Sequence, residues 1–492
     1  MDNNAIPSFF YLFDQIASIL NAIKQSGGTS YLVGGCVRDL ILGKTLKDFD
    51  IEVHSLDLEK LESILKKFGP VKLVGKKFGV LRIAHFDIDW SLPRRDSKGR
   101  KPTVIIEPSM TIQDACRRRD LTMNAMAIDL NFVIDQSETI KKKLALPNAE
   151  ITTIFNIIDP FGGLEDIKHK RLRAVDENLF LEDPLRFFRV MQFIGRFEML
   201  PDKQLDTLCA TMDLFDTTTQ TPLACERIYE EIKKLFLKSY SPSLGFRWLV
   251  KIRRLEEIFP ELYALINVPQ PPQHHPEGDV FEHTMQSLDA AARLKLYNNQ
   301  SGLSIEEEKF LIMLAVLCHD LGKPITIDHE LHTYKHEIEG VKIAKKLLKR
   351  ITNNQSLANG VYKLIKFHLL PFNFLAENAG HKAYKRLALK LAPEATLHQL
   401  AFVALADIQG RNKAGHEPLN SSYDMYEQFL QKAQEATVAH GPEAPILLGR
   451  HLLDILPPGP QLGILLKEAY LIQLEEGIKD VDMLRQRVLK KR

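Results

Sequence analysis

Two acidic side chains near the start of the chain are spaced to hold a metal ion. Asp48 and Asp50 lie two residues apart in the stretch KDFDIEV, residues 47–53. Residues two apart in a strand share a face, so both carboxylates should point the same way. Two adjacent carboxylates stay ionised at low cost only when a cation lies between them, and a hard divalent ion such as Mg²⁺ suits oxygen ligands. The alternative is a solvent-facing strand with two surface acids.

Two glycines upstream of this strand are suited to phosphate binding. Gly34 and Gly35 follow the strand-like stretch TSYLV and open a short helix, and Arg38 lies one turn into that helix. Free backbone N–H groups at a helix start, together with an arginine, form a site for an anion such as a triphosphate. A phosphate site shortly before the acidic strand favours the metal interpretation of its carboxylates.

This order of motifs resembles the nucleotidyltransferase superfamily, whose pattern is a glycine turn, a DxD strand and a third carboxylate on a neighbouring strand. The resemblance implies that Asp89, in preference to Asp87, is the third acid, although the family often has Glu there, and that Arg94 contacts the nucleotide. Two metal ions would activate a 3′-hydroxyl and steady the leaving pyrophosphate. The basic stretch RRDSKGRK (94–101) is either a loop that closes over phosphates or a solvated surface loop.

A basic motif follows in RRRDLTMNAMAID, residues 117–129. A basic run alone is usually a solvated face. The pattern RRDxTxNA, however, resembles a signature of the family of tRNA nucleotidyltransferases and bacterial poly(A) polymerases. That resemblance implies that Arg119 contacts the nucleotide phosphates. It also implies that Asp120 and Asn124 contact the sugar or order the pocket.

The stretch LEDPLRFFRVMQFIGRF (181–197) resembles the EDxxR motif of class II tRNA nucleotidyltransferases, whose helix reads the incoming base. Helix capping would explain Asp183, but not Arg186 and Arg189, three residues apart on one face. Cytosine and adenine each present an amino donor beside a ring-nitrogen acceptor, and uracil and guanine present the reverse. Asp183 with Arg186 would therefore accept C and A and reject U and G without a nucleic-acid template.

A second group of metal-ligand residue types lies further along the chain. His319 and Asp320 end the apolar run FLIMLAVLC (310–318), and a metal is the usual compensation when two such side chains leave water together. The set resembles the HD phosphohydrolase superfamily: His283, His319, Asp320 and Asp407, with His336 and His368 available for a second metal position. A transition metal in this site would activate water against a phosphate ester.

The elements that position these residues change in character along the chain. Strand-like and helical stretches alternate to about residue 160, and nearly everything after Asp166 reads as helix, with PQPPQHHPEGD (269–279) as the clearest linker. The expected fold is an α+β nucleotidyltransferase head of the polymerase-beta type, followed by a mostly helical neck, body and HD-like domain. The expected domains are an N-terminal helical extension (1–28), the head (29–165), the neck and RNA-binding body (166–275), the HD-like metal-binding domain (276–411) and a C-terminal helical tail (412–492).

Composition restricts the setting more than the activity. A net charge of +2 on 492 residues indicates no particular partner. Five cysteines without a CxxC pair argue against a disulfide framework or a structural zinc site. The N-terminus lacks the cations of a signal peptide, and the run 310–318 is too short to cross a bilayer. We expect a soluble cytoplasmic protein without a membrane partner.

Taken together, the motifs resemble bacterial class II CCA-adding tRNA nucleotidyltransferases that carry an HD domain. The resemblance implies template-independent addition of C, C and A to a tRNA 3′ end from CTP and ATP, with Mg²⁺ as cofactor. An A-adding or CC-adding specialist shares nearly every motif, and a bacterial poly(A) polymerase shares the head. A protein of a different class, an HD phosphohydrolase or tRNA-binding protein with an inactive head, is the remaining alternative.

Overall fold

In the computed structural model, the stretch FDIEVH forms a strand near the middle of a six-stranded sheet, as its two-residue alternation predicts. Phe49, Ile51 and Val53 are buried in the core on one side. Asp50 and Glu52 therefore share the opposite side of the strand. The same alternation that buries the apolar residues thus collects the acidic residues on one face.

The structure describes residues 4–47, 49–74, 79–84, 86, 88–96, 104–146, 150–215, 223–296, 302–419 and 424–490. The chain divides into two compact units: unit 1, residues 1–224, and unit 2, residues 225–492. Of the two, unit 1 contains the sheets. The part of unit 2 that the structure describes is built from helices and their connections.

The strands of unit 1 are β1 (Thr29–Val33), β2 (Phe49–His54), β3 (Val71–Val74), β4 (Val80–Ile83), β5 (Ile88–Ser91), β6 (Arg94–Asp96), β7 (Val104–Ile106), β8 (Ala127–Asp129), β9 (Arg171–Leu172) and β10 (Leu200–Pro201). The main sheet has the order β3-β4-β5-β2-β1-β8. Strands β2 and β5 pair in parallel, and the other neighbours in this sheet pair antiparallel. This mixed sheet confirms the expected α+β head.

The helices of unit 1 are α1 (Ala5–Gln25), α2 (Gly35–Ile41), α3 (Leu58–Leu65), α4 (Ile112–Arg117), α5 (Leu130–Leu144), α6 (Ile151–Ile154), α7 (Gly163–Lys168), α8 (Glu177–Leu181), α9 (Leu185–Phe197) and α10 (Lys203–Thr211). Helix α1 is long and apolar enough to cross a membrane by length and composition. Its buried side packs into the core beneath the sheet: the Phe9 ring lies 5.5 Å from that of Phe49 and 4.8 Å from that of Phe155. The N-terminal helix is therefore part of the head core.

The helices of unit 2 are α11 (Cys225–Lys238), α12 (Ser243–Lys251), α13 (Leu255–Ile258), α14 (Pro260–Tyr263), α15 (Val280–Arg293), α16 (Ile305–Cys318), α17 (Lys323–Thr326), α18 (His336–Ile351), α19 (Gln355–Phe367), α20 (Leu370–Ala376), α21 (His381–Leu391), α22 (Leu397–Gln409), α23 (Asp424–Glu435), α24 (Pro460–Glu476) and α25 (Val481–Leu489). Helix α16 is buried along its whole C-terminal half and packs against α15, α19 and α22. Helices α24 and α25 share a separate small core.

Candidate active sites

The acidic strand pairs with a second acidic strand in exact register. Asp50 on β2 lies opposite Asp89 on the parallel strand β5, so both carboxylates point to the same side of the sheet. Asp50 is exposed, and Asp89 Oδ1 accepts a hydrogen bond of 2.8 Å from Arg82 Nε. Asp48 and Asp87 lie outside the described residues. Two of the three acids expected to hold the metal are thus brought together.

The glycine turn lies beside these acids. Gly34, with a φ of 75°, is the N-cap residue just before α2. The backbone N–H of Asp50 donates to Cys36 Sγ, 3.3 Å away in the first turn of that helix. A Cβ on Gly34 would lie 2.5 Å from Arg119 Nη1, so only glycine lets this guanidinium approach the turn. The same side of the sheet therefore carries acids, a glycine turn with Gly35 behind it, and an arginine of the RRRD motif.

A chain of polar contacts joins three of the sequence motifs. Arg38, which is 4% exposed, donates from Nη1 to Asn124 Oδ1 at 2.5 Å. Asn124 Nδ2 donates to Asp120 Oδ1 at 2.9 Å, and Arg189 Nε donates to Asp120 Oδ2 at 2.6 Å. Burial opposes the charged form of Asp120, but Arg189 and Asn124 hold the pKa of this carboxyl well below its usual range. Arg38 is thus the buried end of a hydrogen-bond network that runs through Asn124 and Asp120 to Arg189.

The residues expected to read the base lie at the start of α9. Asp183 Oδ1 accepts from the backbone N–H of Leu185 at 3.1 Å. The guanidinium of Arg186 donates to the backbone carbonyls of Leu179 at 2.9 Å and Arg118 at 2.6 Å. Two fixed carbonyls therefore orient Arg186, which keeps the direction of its remaining N–H groups constant.

Two residues of the head were missed by sequence analysis. Arg82 pairs with Asp89, and Glu52, 1% exposed, accepts from Arg118 Nη2 at 2.8 Å and lies 3.0 Å from His54 Nε2. Burial favours the neutral form of Glu52, but the His54 hydrogen bond and the charge of Arg118 lower its pKa to about 2. The signal for Glu52 was present, because it follows Asp50 by two residues.

The predicted nucleotide contact Arg94 is the first residue of β6. Residues 97–101 of the basic loop lie outside the described residues.

Unit 2 brings the second set of expected ligands into one buried cluster. Its members come from five helices or their ends and are only 0–6% exposed: His283, His319, Asp320, His336, His368 and Asp407. The Nε2 atoms of His283 and His319 are 3.3 Å apart, and those of His336 and His368 are also 3.3 Å apart. His283 Nε2 lies 3.2 Å from Asp407 Oδ1 and 3.6 Å from Asp320 Oδ2. Asp320 Oδ1 lies 3.4 Å from His336 Nε2.

Hydrogen bonds on the far side of the rings fix what these imidazoles present to the cluster. His319, His336 and His368 each place Nδ1 at 2.7 Å from a backbone carbonyl oxygen, which can only accept. Nδ1 therefore donates in each of these rings, and Nε2 is the atom turned toward the cluster. The inward Nε2 atoms lie close to one another and to carboxylate oxygens, an arrangement that a cation between them would stabilise.

The spacing fits metal ions better than a single proton. Metal–nitrogen bonds of about 2.0–2.1 Å around a tetrahedral centre place neighbouring ligand atoms roughly 3.3 Å apart. A proton lies on one donor–acceptor line, whereas His283 Nε2 has three inward neighbours at 3.2–3.6 Å. We define site A as His283, His319, Asp320 and Asp407, and site B as Asp320, His336 and His368. Asp320 belongs to both.

The stretch 269–279, which sequence analysis treated as a linker, packs against this cluster. Gln270 Oε1 accepts from Lys323 Nζ at 2.7 Å, and Lys323 Nζ also lies 2.7 Å from Asp320 Oδ2. Glu277, with no side-chain exposure, lies 2.7 Å from His283 Nδ1. Proline and glycine predicted the irregular backbone of this stretch but not its packing against the cluster. The pattern HHPEGD, an acid among histidines, was the available signal.

Comparisons with known proteins assign both parts of the chain to known domain families. A family model for the poly(A) polymerase head domain matches residues 30–173, and one for the HD domain matches residues 280–408. A multifunctional CCA protein of Mannheimia succiniciproducens is 32% identical over 418 residues, which cover 83% of this chain and 90% of that protein. A CCA-adding enzyme solved with CTP has 20% identity and a TM-score of 0.58, with 98% of this chain and 95% of that chain covered.

A Thermotoga maritima CCA-adding enzyme complexed with tRNA has 18% identity and a TM-score of 0.50, with 98% of this chain and 95% of that chain covered. At these identities the solved structures show a shared fold. The curated relative is 32% identical over most of both chains, and a match of that identity and coverage shows membership of the same family. This chain therefore belongs to the CCA-adding tRNA nucleotidyltransferases of bacterial class II that carry an HD domain.

Proposed function

We propose that this protein adds C, C and A to tRNA 3′ ends from CTP and ATP and releases pyrophosphate, in the bacterial cytoplasm where tRNA is processed. The observation that carries the proposal is the pairing of Asp50 with Asp89 on neighbouring strands. Beside this pair lies the glycine turn at Gly34, against which the Arg119 guanidinium packs. These acids, with Asp48, would hold Mg²⁺. When bound, Mg²⁺ would lower the pKa of the attacking 3′-hydroxyl and offset the charge of the triphosphate. Arg119, which lies against the Gly34 turn, would bind the phosphates.

Asp183 and Arg186 would choose the base. The two carbonyls that hold Arg186 leave its other N–H groups to meet the ring nitrogen of C or A, while Asp183 accepts from the amino group. Uracil or guanine would place acceptor against acceptor and donor against donor. Each unpaired buried polar group costs roughly 1–3 kcal/mol, so two mismatches correspond to about two decades or more of discrimination.

The test is a reaction with tRNA that lacks its 3′ end, supplied with each labelled nucleotide in turn and then with mixtures, followed by sequencing of the product. Ordered addition of C, C and A supports the proposal. Addition of A alone or of a long A tract assigns the chain to the A-adding or poly(A) alternatives, and C and C alone to the CC-adding one. In the same assay, Asp183→Ala should incorporate U and G about tenfold or more above the wild-type level.

A second activity, hydrolysis of phosphate esters by unit 2, is favoured by the inward-facing Nε2 atoms and carboxylates of sites A and B. Imidazole and carboxylate ligands suit transition metals, which would supply an activated water when bound. Lys323 and Arg411 lie beside the two carboxylates and would attract an anionic substrate. Hydrolysis of p-nitrophenyl phosphate and bis-p-nitrophenyl phosphate after metal stripping and reloading with Co²⁺, Ni²⁺ or Mn²⁺ tests this. No turnover with any metal would reject it.

A further inference from the structure

The four histidines of the buried cluster differ in the group that lies against Nδ1, the ring nitrogen that faces away from the cluster. His319, His336 and His368 each donate from Nδ1 to a neutral backbone carbonyl at 2.7 Å. His283 instead has the carboxylate oxygen Oε1 of Glu277 at 2.7 Å, while the nearest backbone carbonyl, that of Gly410, is 3.2 Å away. Site A thus has one ligand backed by a full negative charge, and site B has none among the described residues.

We propose that Glu277 is a positioning residue that makes site A the tighter of the two metal positions, an inference that rests on the proposed metal-binding role of unit 2. A hydrogen bond to a charged acceptor is about twice as strong as one to a neutral acceptor. It fixes the ring orientation of His283 and increases the electron density on the inward Nε2. Outer partners of this kind are worth about 10- to 100-fold in metal affinity.

The surroundings of Glu277 are built for this contact. Its side chain has no exposure, and its Oε1 also accepts from His275 Nδ1 at 3.0 Å. The His275 and His283 rings meet edge to face with centroids 4.8 Å apart. Among the described residues, Oε2 has no hydrogen-bond partner. The Glu277 carboxylate is therefore buried although Oε2 lacks a partner among the described residues. Its other oxygen, Oε1, contacts both His283 and His275.

A third metal position at His275, Glu277 and His283 is the competing interpretation of the same atoms. It would require His283 to lose its Nδ1 proton and bridge two ions. Contacts of 2.7 and 3.0 Å from Oε1 to the two Nδ1 atoms are normal for charge-assisted hydrogen bonds and shorter than the roughly 3.3 Å between ligands of a tetrahedral ion. The geometry therefore favours a hydrogen bond over coordination.

The test measures Co²⁺ binding to the full-length protein in two backgrounds that isolate the sites. His368→Ala leaves site A, and His319→Ala leaves site B. Affinity is measured by chelator competition, and the visible spectrum of bound Co²⁺ reports its coordination. In the His368→Ala background, Glu277→Ala should weaken Co²⁺ binding about 10- to 100-fold and alter the spectrum. Glu277→Gln should give an affinity between those of the Glu277→Ala variant and the unchanged His368→Ala background. In the His319→Ala background, Glu277→Ala should change affinity less than twofold.

The outcomes separate this inference from the proposed function. Unchanged affinity in the His368→Ala background, or equal weakening in both backgrounds, overturns the role of Glu277, since the second result means a general effect on the fold. If the wild-type protein binds no Co²⁺, the proposed function of unit 2 fails first. Binding of a third ion that Glu277→Ala abolishes would assign the competing site. Glu330→Gln, an equal charge change at an exposed residue of unit 2, is the matched control.

Discussion

The head and the HD-like cluster both gather carboxylates, but they expose them differently. Asp50 is exposed, and the side chain of Asp89 is 35% exposed. The six clustered ligands of unit 2 are 0–6% exposed. Open, oxygen-only ligands suit Mg²⁺, which gives up its water reluctantly and usually binds together with substrate phosphates. Buried imidazoles suit a resident transition metal. An ion in the head would therefore arrive with each nucleotide, whereas an ion in the buried cluster would stay bound between reactions.

The two sites also differ in how they compensate their acids before any ion binds. In the head, Arg82 pairs with Asp89, so the charges of the open face are partly balanced by a surface cation. In unit 2, Lys323 and Arg411 contact Asp320 and Asp407, and the same two carboxylates also face the inward Nε2 atoms of His336 and His283. The cation beside the acid is thus 41% exposed in the head, where it is Arg82, whereas Lys323 in unit 2 is 9% exposed.

Replacing Asp50 gives the largest expected effect. Asp50→Asn should reduce nucleotide addition by about 10³-fold or more, because loss of metal-ion stabilisation removes several kcal/mol from the transition state. Since the residue is exposed, the unfolding midpoint and tRNA affinity should stay near wild type. Glu59→Gln, an equal charge change at an exposed position of α3, is the control. Near-normal addition by Asp50→Asn would remove the acid from the metal site.

Replacing His319 tests whether the two sites act separately. His319→Ala should abolish metal-dependent phosphate-ester hydrolysis, about 10²-fold or more, because it removes a ligand of site A. Nucleotide addition should remain within about twofold, since the acids of the head lie in the other compact unit. Both rates are measured on the same preparation. A parallel loss of addition would show that the sites are coupled and that the comparison between them does not hold.

Removing metal should affect the stability of unit 2 alone. A resident ion at 1,000 times its Kd contributes about 4 kcal/mol to stability, and chelation removes that contribution. Trp90 reports on unit 1 and Trp248 on unit 2, and they are the only tryptophans of the chain. Trp90→Phe and Trp248→Phe variants therefore isolate each unit in fluorescence unfolding with and without chelator. An equal shift in both units, or none in unit 2, would contradict the resident-metal interpretation.

The same contrast governs what the sequence could predict. The head motifs are local: a glycine turn, a DxD strand and an RRRD run each carry their meaning in a few residues. The period-2 alternation of β2 was enough to place Asp50 on the open face. The ligands of unit 2 are spread along the sequence from His283 to Asp407, and their residue types alone suggested a metal site. Their proximity depends on how the helices that carry them pack: α15, α16, α18, α19 and α22.

Outer contacts were the least predictable part. Arg82, Glu277 and Lys323 touch site residues through side chains whose direction depends on tertiary packing. No rule of sequence spacing predicts the contact between Glu277 and His283, because Glu277 lies in an irregular segment and His283 lies in helix α15. Arg38 is a related case: the sequence offered it as a phosphate ligand, and the structure shows it buried and donating to Asn124. Direct binding of phosphate by Arg38 remains a prediction.

Glu52 offers the finest test, because it is a buried acid within the otherwise open head site. Its pKa of about 2 lies below its ordinary value of 4.5, so the ionised group stabilises unit 1 above pH 4.5. That contribution, about 3 kcal/mol, is lost as pH falls from 4.5 toward 2. Glu52→Gln should therefore flatten the loss of stability of unit 1 between pH 5 and pH 2, as measured by denaturant unfolding with Trp90 as sole reporter.

The outcome decides whether the acidic face of β2 is one site or two. If Glu52→Gln weakens unit 1 at pH 7 and leaves addition within severalfold, Glu52 serves to hold Arg118 against the strand, and catalysis belongs to the exposed acids. Glu59→Gln should show the wild-type dependence on pH, because an exposed carboxylate contributes little to such linkage. A loss of addition as deep as that of Asp50→Asn, at unchanged stability, would instead place Glu52 among the metal ligands and extend the open site into the core.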